Sequence, residues 1–382
     1  NEEALERLRD TVDYFLLHNR PIAQRCDDSV VRVVAGGQSL IRRSRGYVPM
    51  PITLDRSLDL SILALGAEEN VSSCILMGDK AYMSQYIGDV ETLETLTYLR
   101  DATQHIIDLI NPSIEVIACD LHPGFSTTRL ARELSEEKGW EKIQIQHHNA
   151  HLASLMGEHG LDELVGIICD GMGYGLDGKA WGGEVIYSDG HVFKRLGHLQ
   201  EHPLVGGDLA AKYPLRVLAG ILHPLPEAAE ILYSRAEHLP HGEREAEIIL
   251  KELSSPRNPK TTSCGRVLDA VSALLGICYE RTYEGEPAMK LEAAAIHGRD
   301  TLSLEPEIHG GVIDTRSLLL TLLEEINEVE RADLACSAQS YLARSLAQLA
   351  IEEAEKLGVE VIGFSGGVAY NESVSYTHLT LP

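Results

Sequence analysis

Residues 164–188 read LVGIICDGMGYGLDGKAWGGEVIYS, and the parsing of this stretch decides the fold. LVGIICD is a short apolar run of the kind that forms a strand buried on both faces, and it ends on Asp170. DGMGYGLDG is a glycine-dense turn, and KAWGGEVIYSD with HVFKRLGHL supplies two further strands. Repeated glycines, here Gly171 and Gly173, free backbone N–H groups to face phosphate oxygens, while the aspartate can hold a cation bridging them. The plainer alternative is a hairpin rich in turn residues.

Working outward toward the N-terminus, LSILALG, VSSCILM and KAYMSQYIG read as three short strands followed by the helical run VETLETLTYLRDATQHIIDLI. Three strands and then helix, written twice, predict an α/β fold with a duplicated core of two halves around a cleft; two coincidental meanders would look the same. Between the copies lie IEVIACDLHPGFSTTRLARELSEE and IQIQHHNAHLASLMGEHG, each an apolar strand running into polar residues and then a helix. Such strand C-termini are where open α/β sheets collect ligands. A mainly helical region, about residues 206–355, follows the second meander and leads to a strand in VEVIGFSGG.

At 382 residues the chain is expected to fold as two or three units. It starts at Asn1 in a helical pattern, EEALERLRDTVDYFLLH, as a cut through a domain would. VVRVV and SLIRR read as strands around a Gly36-Gly37 turn, and VPMPI reads as a linker. The final eight residues, SYTHLTLP, continue no pattern and are expected to be a non-native tail.

Lys plus Arg number 33 against 58 Asp plus Glu, a formal charge of −25 that repels nucleic-acid backbones over the whole surface. The strip Arg42, Arg43 and Arg45 can still bind one small anion. The seven cysteines are scattered, with no C-x-x-C pair for a zinc ribbon. Several sit in apolar runs, as buried reduced thiols do, so a reducing cytoplasm is expected. No apolar run reaches the roughly 18–20 residues of a membrane helix.

In HHNAH, His147 and His151 are four residues apart, on one helical face, with metal-ligand spacing. Two imidazoles and the Asp170 carboxylate would suit iron or zinc; the plainer reading is two solvated helix histidines, with His148 structural. No glutamate stands where a metalloprotease would need its general base. Gly206, Gly207 and Asp208 precede a helical pattern and either contact a nucleotide or cap the helix. Gly265 and Asp269 stand near another helix, and FSGGVAYN offers Gly366, Gly367 and Asn371 to a base or ribose. At the front, Arg20, Arg25, Ser29 and Arg43 could bind the triphosphate of ATP and a small oxyanion such as carbamate, or form a solvated basic edge.

Taken together the phrases are more specific. HNRPIAQRCDDSVVR followed by IRRSRGYVP resembles the end of a YrdC-like carbamoyl-adenylate domain. LALGAEENV, MSQYIGDVET, ACDLHPGFSTTRLA, QHHNAHLAS, DGMGYGLDGKAWGGE, GGDLAAKYPLR, SCGRVLDAVSALLGI, YEGEPAMKLE and FSGGVAYN look like the successive signatures of the TsaD-like domain of HypF-type carbamoyltransferases, in that family's order.

The resemblance implies a YrdC-like remnant over 1–51 and an actin-like ATPase (ASKHA) core over 52–374, with halves of roughly 58–160 and 161–374. It implies two steps: ATP, with Mg2+, activates carbamoyl as the adenylate, and the group then passes to the C-terminal cysteine of a HypE-type maturation protein for cyanide-ligand synthesis in nickel–iron hydrogenase. His147, His151 and Asp170 would hold the metal; Gly206, Gly207, Asp208 and the Gly366-Gly367 to Asn371 turn would hold nucleotide. Three departures stand against it. The family's acylphosphatase module and paired cysteines are absent, so this chain alone is not expected to use carbamoyl phosphate. Most of the YrdC-like domain is absent as well, and a further acidic ligand is expected beyond FSGGVAYN, where SYTHLTLP stands instead. The rivals are a TsaD-type tRNA threonylcarbamoyl transferase, disfavoured by the acidic charge, and an inactive nucleotide-binding module.

Overall fold

The computed structural model describes residues 2–34, 37–255, 257–371 and 374; the expected tail at 375–382 and Gly36 lie outside these. The opening helix α1 (Glu2–Arg7) is much shorter than its sequence pattern, because none of its residues is buried and a lone helix without a packed face does not propagate. β1 (Val30–Val34) and β2 (Gly37–Arg42) pair antiparallel as expected. Cation–π contacts tie this front piece down, Arg25 over Tyr98 at 4.1 Å and Arg42 over Tyr86 at 4.7 Å.

In the first half the expected three short strands are two long ones, β3 (Ile52–Leu65) and β4 (Ser73–Met83). The turn expected at Gly78 is an irregularity within β4: Gly78, at φ +61°, pairs with Leu58 where the register slips, so the strand continues. SQYIG forms only the isolated bridge from Gly88 to Val71, and β3 begins directly after the two prolines that read as a linker. Then come α2 (Leu93–Ile110), β5 (Ile114–Asp120), α3 (Ser126–Lys138) and β6 (Glu141–Ile145), giving the sheet order β4-β3-β5-β6. Thr92 and Thr95 form a reciprocal cap at the start of α2, Asn111 ends it in the left-handed conformation, and Leu99, Ala102, Thr103 and Ile106 make its buried stripe. That stripe closes a small core around Leu63, Ile75 and Ile117.

Helix α4 (His147–His159) leads into β7 (Leu164–Tyr174), β8 (Ala180–Ser188) and β9 (Phe193–Leu199), the expected meander. The glycine-dense stretch is mostly strand: β7 runs to Tyr174, and the turn shrinks to Gly175–Lys179. The predominantly helical region follows, with β10 (His202–Pro203), α5 (Asp208–Lys212), α6 (Leu215–Leu222), α7 (Pro226–Ser234), α8 (Glu243–Leu253), β11 (Lys260–Thr261), α9 (Cys264–Leu274) and α10 (Glu286–Ala295). After β12 (Ile308–His309), β13 (Val312–Ile313), α11 (Arg316–Glu325) and α12 (Arg331–Leu357), the chain returns as β14 (Ile362–Ser365), parallel to β7. α9 is buried along its whole length in the large core it shares with α6, α10 and α12. Among the described residues no helix is long and apolar enough to cross a membrane.

The duplication is visible in the pairing. β3 takes β4 antiparallel on one side and β5 parallel on the other; β7 takes β8 antiparallel and β14 parallel. α4 sits at the junction: Leu152 and Met156 pack with Leu164, Ile168 and Ile186 of the second sheet, while Gly157 lies against Leu54 of β3.

Candidate metal and nucleotide site

Asp170 leaves the second sheet through a break in the ladder. Cys169 pairs with Gly183, but the next pair is Gly173 with Trp181, so three residues of β7 bulge opposite one of β8. The bulge is braced from behind. Ser263 Oγ donates to the carbonyls of Asp170 (3.1 Å) and Gly171 (2.5 Å), and a Cβ on Gly182 would come within 2.7 Å of the Asp170 carbonyl, which is why glycine stands there. The fully buried Glu184 carboxylate then organises Gly182-Gly183, accepting from both backbone N–H groups (3.0 and 3.3 Å), from Arg195 Nε (2.6 Å) and from Thr262.

The α4 histidines meet this bulge. Gln146 caps α4 through the Asn149 N–H, which sets the first turn with His147 and His151 on one face. His147 Nε2 lies 2.9 Å and His151 Nε2 3.7 Å from Asp170 Oδ2. The opposite ring nitrogens are also held: His147 Nδ1 is 3.2 Å from Asp120 Oδ2, and His151 Nδ1 is 3.2 Å from Ser365 Oγ. Among the described residues this is the one group of three whose donor atoms, all within 4.8 Å of one another, could share a metal ion. Two imidazoles and one carboxylate suit a borderline cation such as zinc or iron.

The electrostatics follow from these contacts. Burial pulls the His147 pKa down, but the hydrogen bonds to Asp120 and Asp170 outweigh it and raise it to about 10. Burial would raise Asp170, yet the bonds to His147 and His151 hold it well below the usual carboxylate range. His148 points the other way: burial takes its pKa down to about 3, and its Nδ1 is 3.0 Å from Gln146 Nε2, the structural role expected of it. A Cβ on Gly173 would lie 2.5 Å from the His148 ring and 2.9 Å from His147, so this glycine is the floor on which the histidines pack.

Of the other candidates, Gly367 N donates to Asp170 Oδ1 (3.3 Å), and Gly366, at φ +102°, lets the turn lie against the Cys169 carbonyl where a Cβ would sit 2.2 Å away. Open space faces Gly171. Asn371 is buried: its amide donates to Gln339 (2.9 Å) and its oxygen accepts from Val374 N, tethering the turn to α12. Gly207 occupies the N-cap of α5 with no side-chain cap bond, and Asp208 is the exposed first residue of the helix.

At the front the candidates have local duties. Ser29 Oγ donates to the Arg45 carbonyl and accepts from Ser44 N, Arg43 donates to the Met50 carbonyl, Arg25 stacks on Tyr98, and Arg20 is exposed. Sequence reading missed Asp120 and Ser365 as partners of the histidines. The signal available was position: each is the last residue of a parallel strand.

Two descriptions of families match the chain, "HypF Kae1-like domain" over residues 57–158 and "Carbamoyltransferase, Kae1-like Domain, second subdomain" over 166–379. "Probable carbamoyltransferase HypF" of Methanocaldococcus jannaschii is 44% identical over 381 residues, 98% of this chain and 49% of that protein. The crystal structure of T. kodakarensis HypF is similar with TM-score 0.93 at 43% identity, over 99% of this chain and 50% of that one. A full-length HypF in the phosphate- and nucleotide-bound form gives TM-score 0.91 at 34% identity, over 99% and 59%. The chain thus spans about half the length of the curated relatives it matches. With the duplicated core, the histidine cluster at the junction of its two sheets and these matches in agreement, the chain belongs to the HypF carbamoyltransferase family.

Proposed function

We propose that this chain is the carbamoyl-transferring half of such an enzyme, moving a nucleotide-activated carbamoyl group to the C-terminal cysteine of a HypE-type maturation protein. The observation that carries the reading is the convergence of His147 and His151 Nε2 on Asp170 Oδ2. These three residues would hold a divalent cation, and when bound it would supply positive charge that offsets phosphate oxygens and polarises the carbamoyl group. Around it the chain's own groups do the positioning. The open face of Gly171 lets a phosphate approach the backbone, and the Gly366-Gly367 turn holds Asp170 in place. Gly206, Gly207 and Asp208 are assigned to the nucleotide with them. A relative's phosphate- and nucleotide-bound form supports a nucleotide as the bound species, which we assign as ATP with Mg2+.

The thiol chemistry supports an external acceptor. The Cys74, Cys119, Cys278 and Cys336 thiols are pushed up by burial, and Cys169 by contact with Cys264 as well as burial. A partner's thiolate attacks the carbonyl carbon, its bond to the nucleotide phosphate breaks, and AMP leaves. Residues 1–51 are assigned to the end of the YrdC-like domain that makes the adenylate, 52–374 to the transfer domain, and carbamoyl phosphate to the modules beyond this chain.

The test uses the protein with its preceding modules joined to this chain, radiolabelled carbamoyl phosphate, ATP and a HypE-type acceptor. Label should reach the acceptor cysteine and be lost when His147 and His151 are both alanine, by more than about 100-fold. Label that appears in tRNA threonyl-adenosine and never on the thiol would replace this reading by the TsaD-type one.

A further inference from the structure

We infer that Asp120 and Ser365 are positioning residues that set the tautomer and aim of the two histidines, one from each half of the core. The inference rests on the metal reading above and concerns residues that reading does not use. A histidine that binds a cation through Nε2 must carry its proton on Nδ1, and a group accepting that proton fixes both tautomer and ring direction. Both histidines show this arrangement. Each Nε2 faces Asp170 Oδ2, and each Nδ1 meets its own partner at 3.2 Å.

The partners are themselves fixed. Asp120 is the last residue of β5 and 7% exposed; its Oδ1 accepts the His122 N–H at 2.7 Å and its carbonyl accepts from Thr128 Oγ1 at 3.2 Å. The carboxylate is therefore spent on two donors and has no freedom to swing. Ser365 ends β14 in register with Ile168, two residues before Asp170 on the neighbouring strand. Asp170 and Ser365 thus belong to one sheet and Asp120 to the other, and His147 is the bond between them.

Asparagine is not a neutral replacement at 120. Its single oxygen can accept from His122 N–H or from His147 Nδ1–H, and its NH2 must face whichever donor remains. Asp120→Asn keeps the size and one of the two bonds, so it separates aiming of the ring from folding of the turn.

The experiment titrates cobalt(II) against a chromophoric chelator in this chain and in Asp120→Asn, Asp120→Ala, Ser365→Ala and His147→Ala, with a thermal melt of each. Wild type should bind and His147→Ala should not. The Asp120 variants should bind about 10- to 100-fold more weakly with shifted visible bands, and Ser365→Ala about 3- to 10-fold more weakly. A purely structural role would lower the melt without moving the bands. Folded Asp120 and Ser365 variants that bind within about twofold of wild type, with unshifted bands, overturn the inference. If Asp120→Ala does not fold, Asp120→Asn and Ser365→Ala decide. Wild type that binds no better than His147→Ala defeats the metal reading itself, and the inference with it.

Discussion

In the first half of the core, β3 runs between β4 and β5; in the second, β7 runs between β8 and β14 with the same directions. The first sheet is backed by a small core under α2 and α3, whereas the second supports the large helical core built on α6, α9, α10 and α12. Their contributions to the histidine site differ as well. The first offers Asp120 at an unbroken strand end, and the second breaks its ladder to turn Asp170 outward and then braces the break with Ser263 and the buried Glu184 network. One strand scheme thus serves as a plain scaffold on one side and a deformed, braced one on the other.

The largest effect should come from that brace. Glu184→Ala leaves Arg195, Thr262 and two glycine N–H groups without their acceptor, and should cost about 3–5 kcal/mol in chemical denaturation. A loss below about 1 kcal/mol would mean that the bulge is not held by this carboxylate. Leu99→Ala, in the first half's core, should cost about 2–5 kcal/mol and speed hydrogen exchange in α2 and β4 while leaving α9 and α12 protected. Equal loss of protection in α9 would break the comparison, making the halves one cooperative unit.

A third effect reads the junction. With its pKa raised to about 10 against an ordinary 6.5, His147 in metal-free protein stabilises fully below pH about 6.5, and that contribution is lost as the pH rises toward 10. A tenfold change in proton affinity is about 1.4 kcal/mol, so after allowance for partial exposure the fall should be on the order of 2–3 kcal/mol. His147→Gln should flatten it in melts from pH 6.5 to 10. Asp170, held low, should give the opposite limb, with stability lost as the pH falls through its depressed pKa. The smallest effect is expected from Arg56→Ala. Its exposed pair with Asp162 links β3 to the turn before β7, and removing it should change stability by less than about 1 kcal/mol and fade in high salt.

What was legible in the chain were features that repeat over short distances. The four-residue spacing of His147 and His151 needs only a helix to put both on one face, and LVGIICD needs only its apolar run to deliver Asp170 at a sheet. The meander of the second half, the helical run of α2 and the Gly366-Gly367 turn follow from equally local rules. Illegible features were those in which a local signal has two outcomes. Gly78 marks a turn in isolation but a strand irregularity once β3 lies alongside, and the glycines after Asp170 read as a loop until β8 pairs with them.

The sequence by itself therefore determined the α/β class and named the three residues of the candidate metal cluster, because periodicity and glycine placement are properties of neighbouring residues, but it wrote three short strands where the first half has two long ones. Only the tertiary structure decided which groups hold those residues. Asp120 lies 27 positions from His147, Ser365 lies 214 from His151, and Asn371 reaches Gln339 of α12. Contacts across such separations depend on how two sheets and the helix between them pack, and no spacing rule reaches that far.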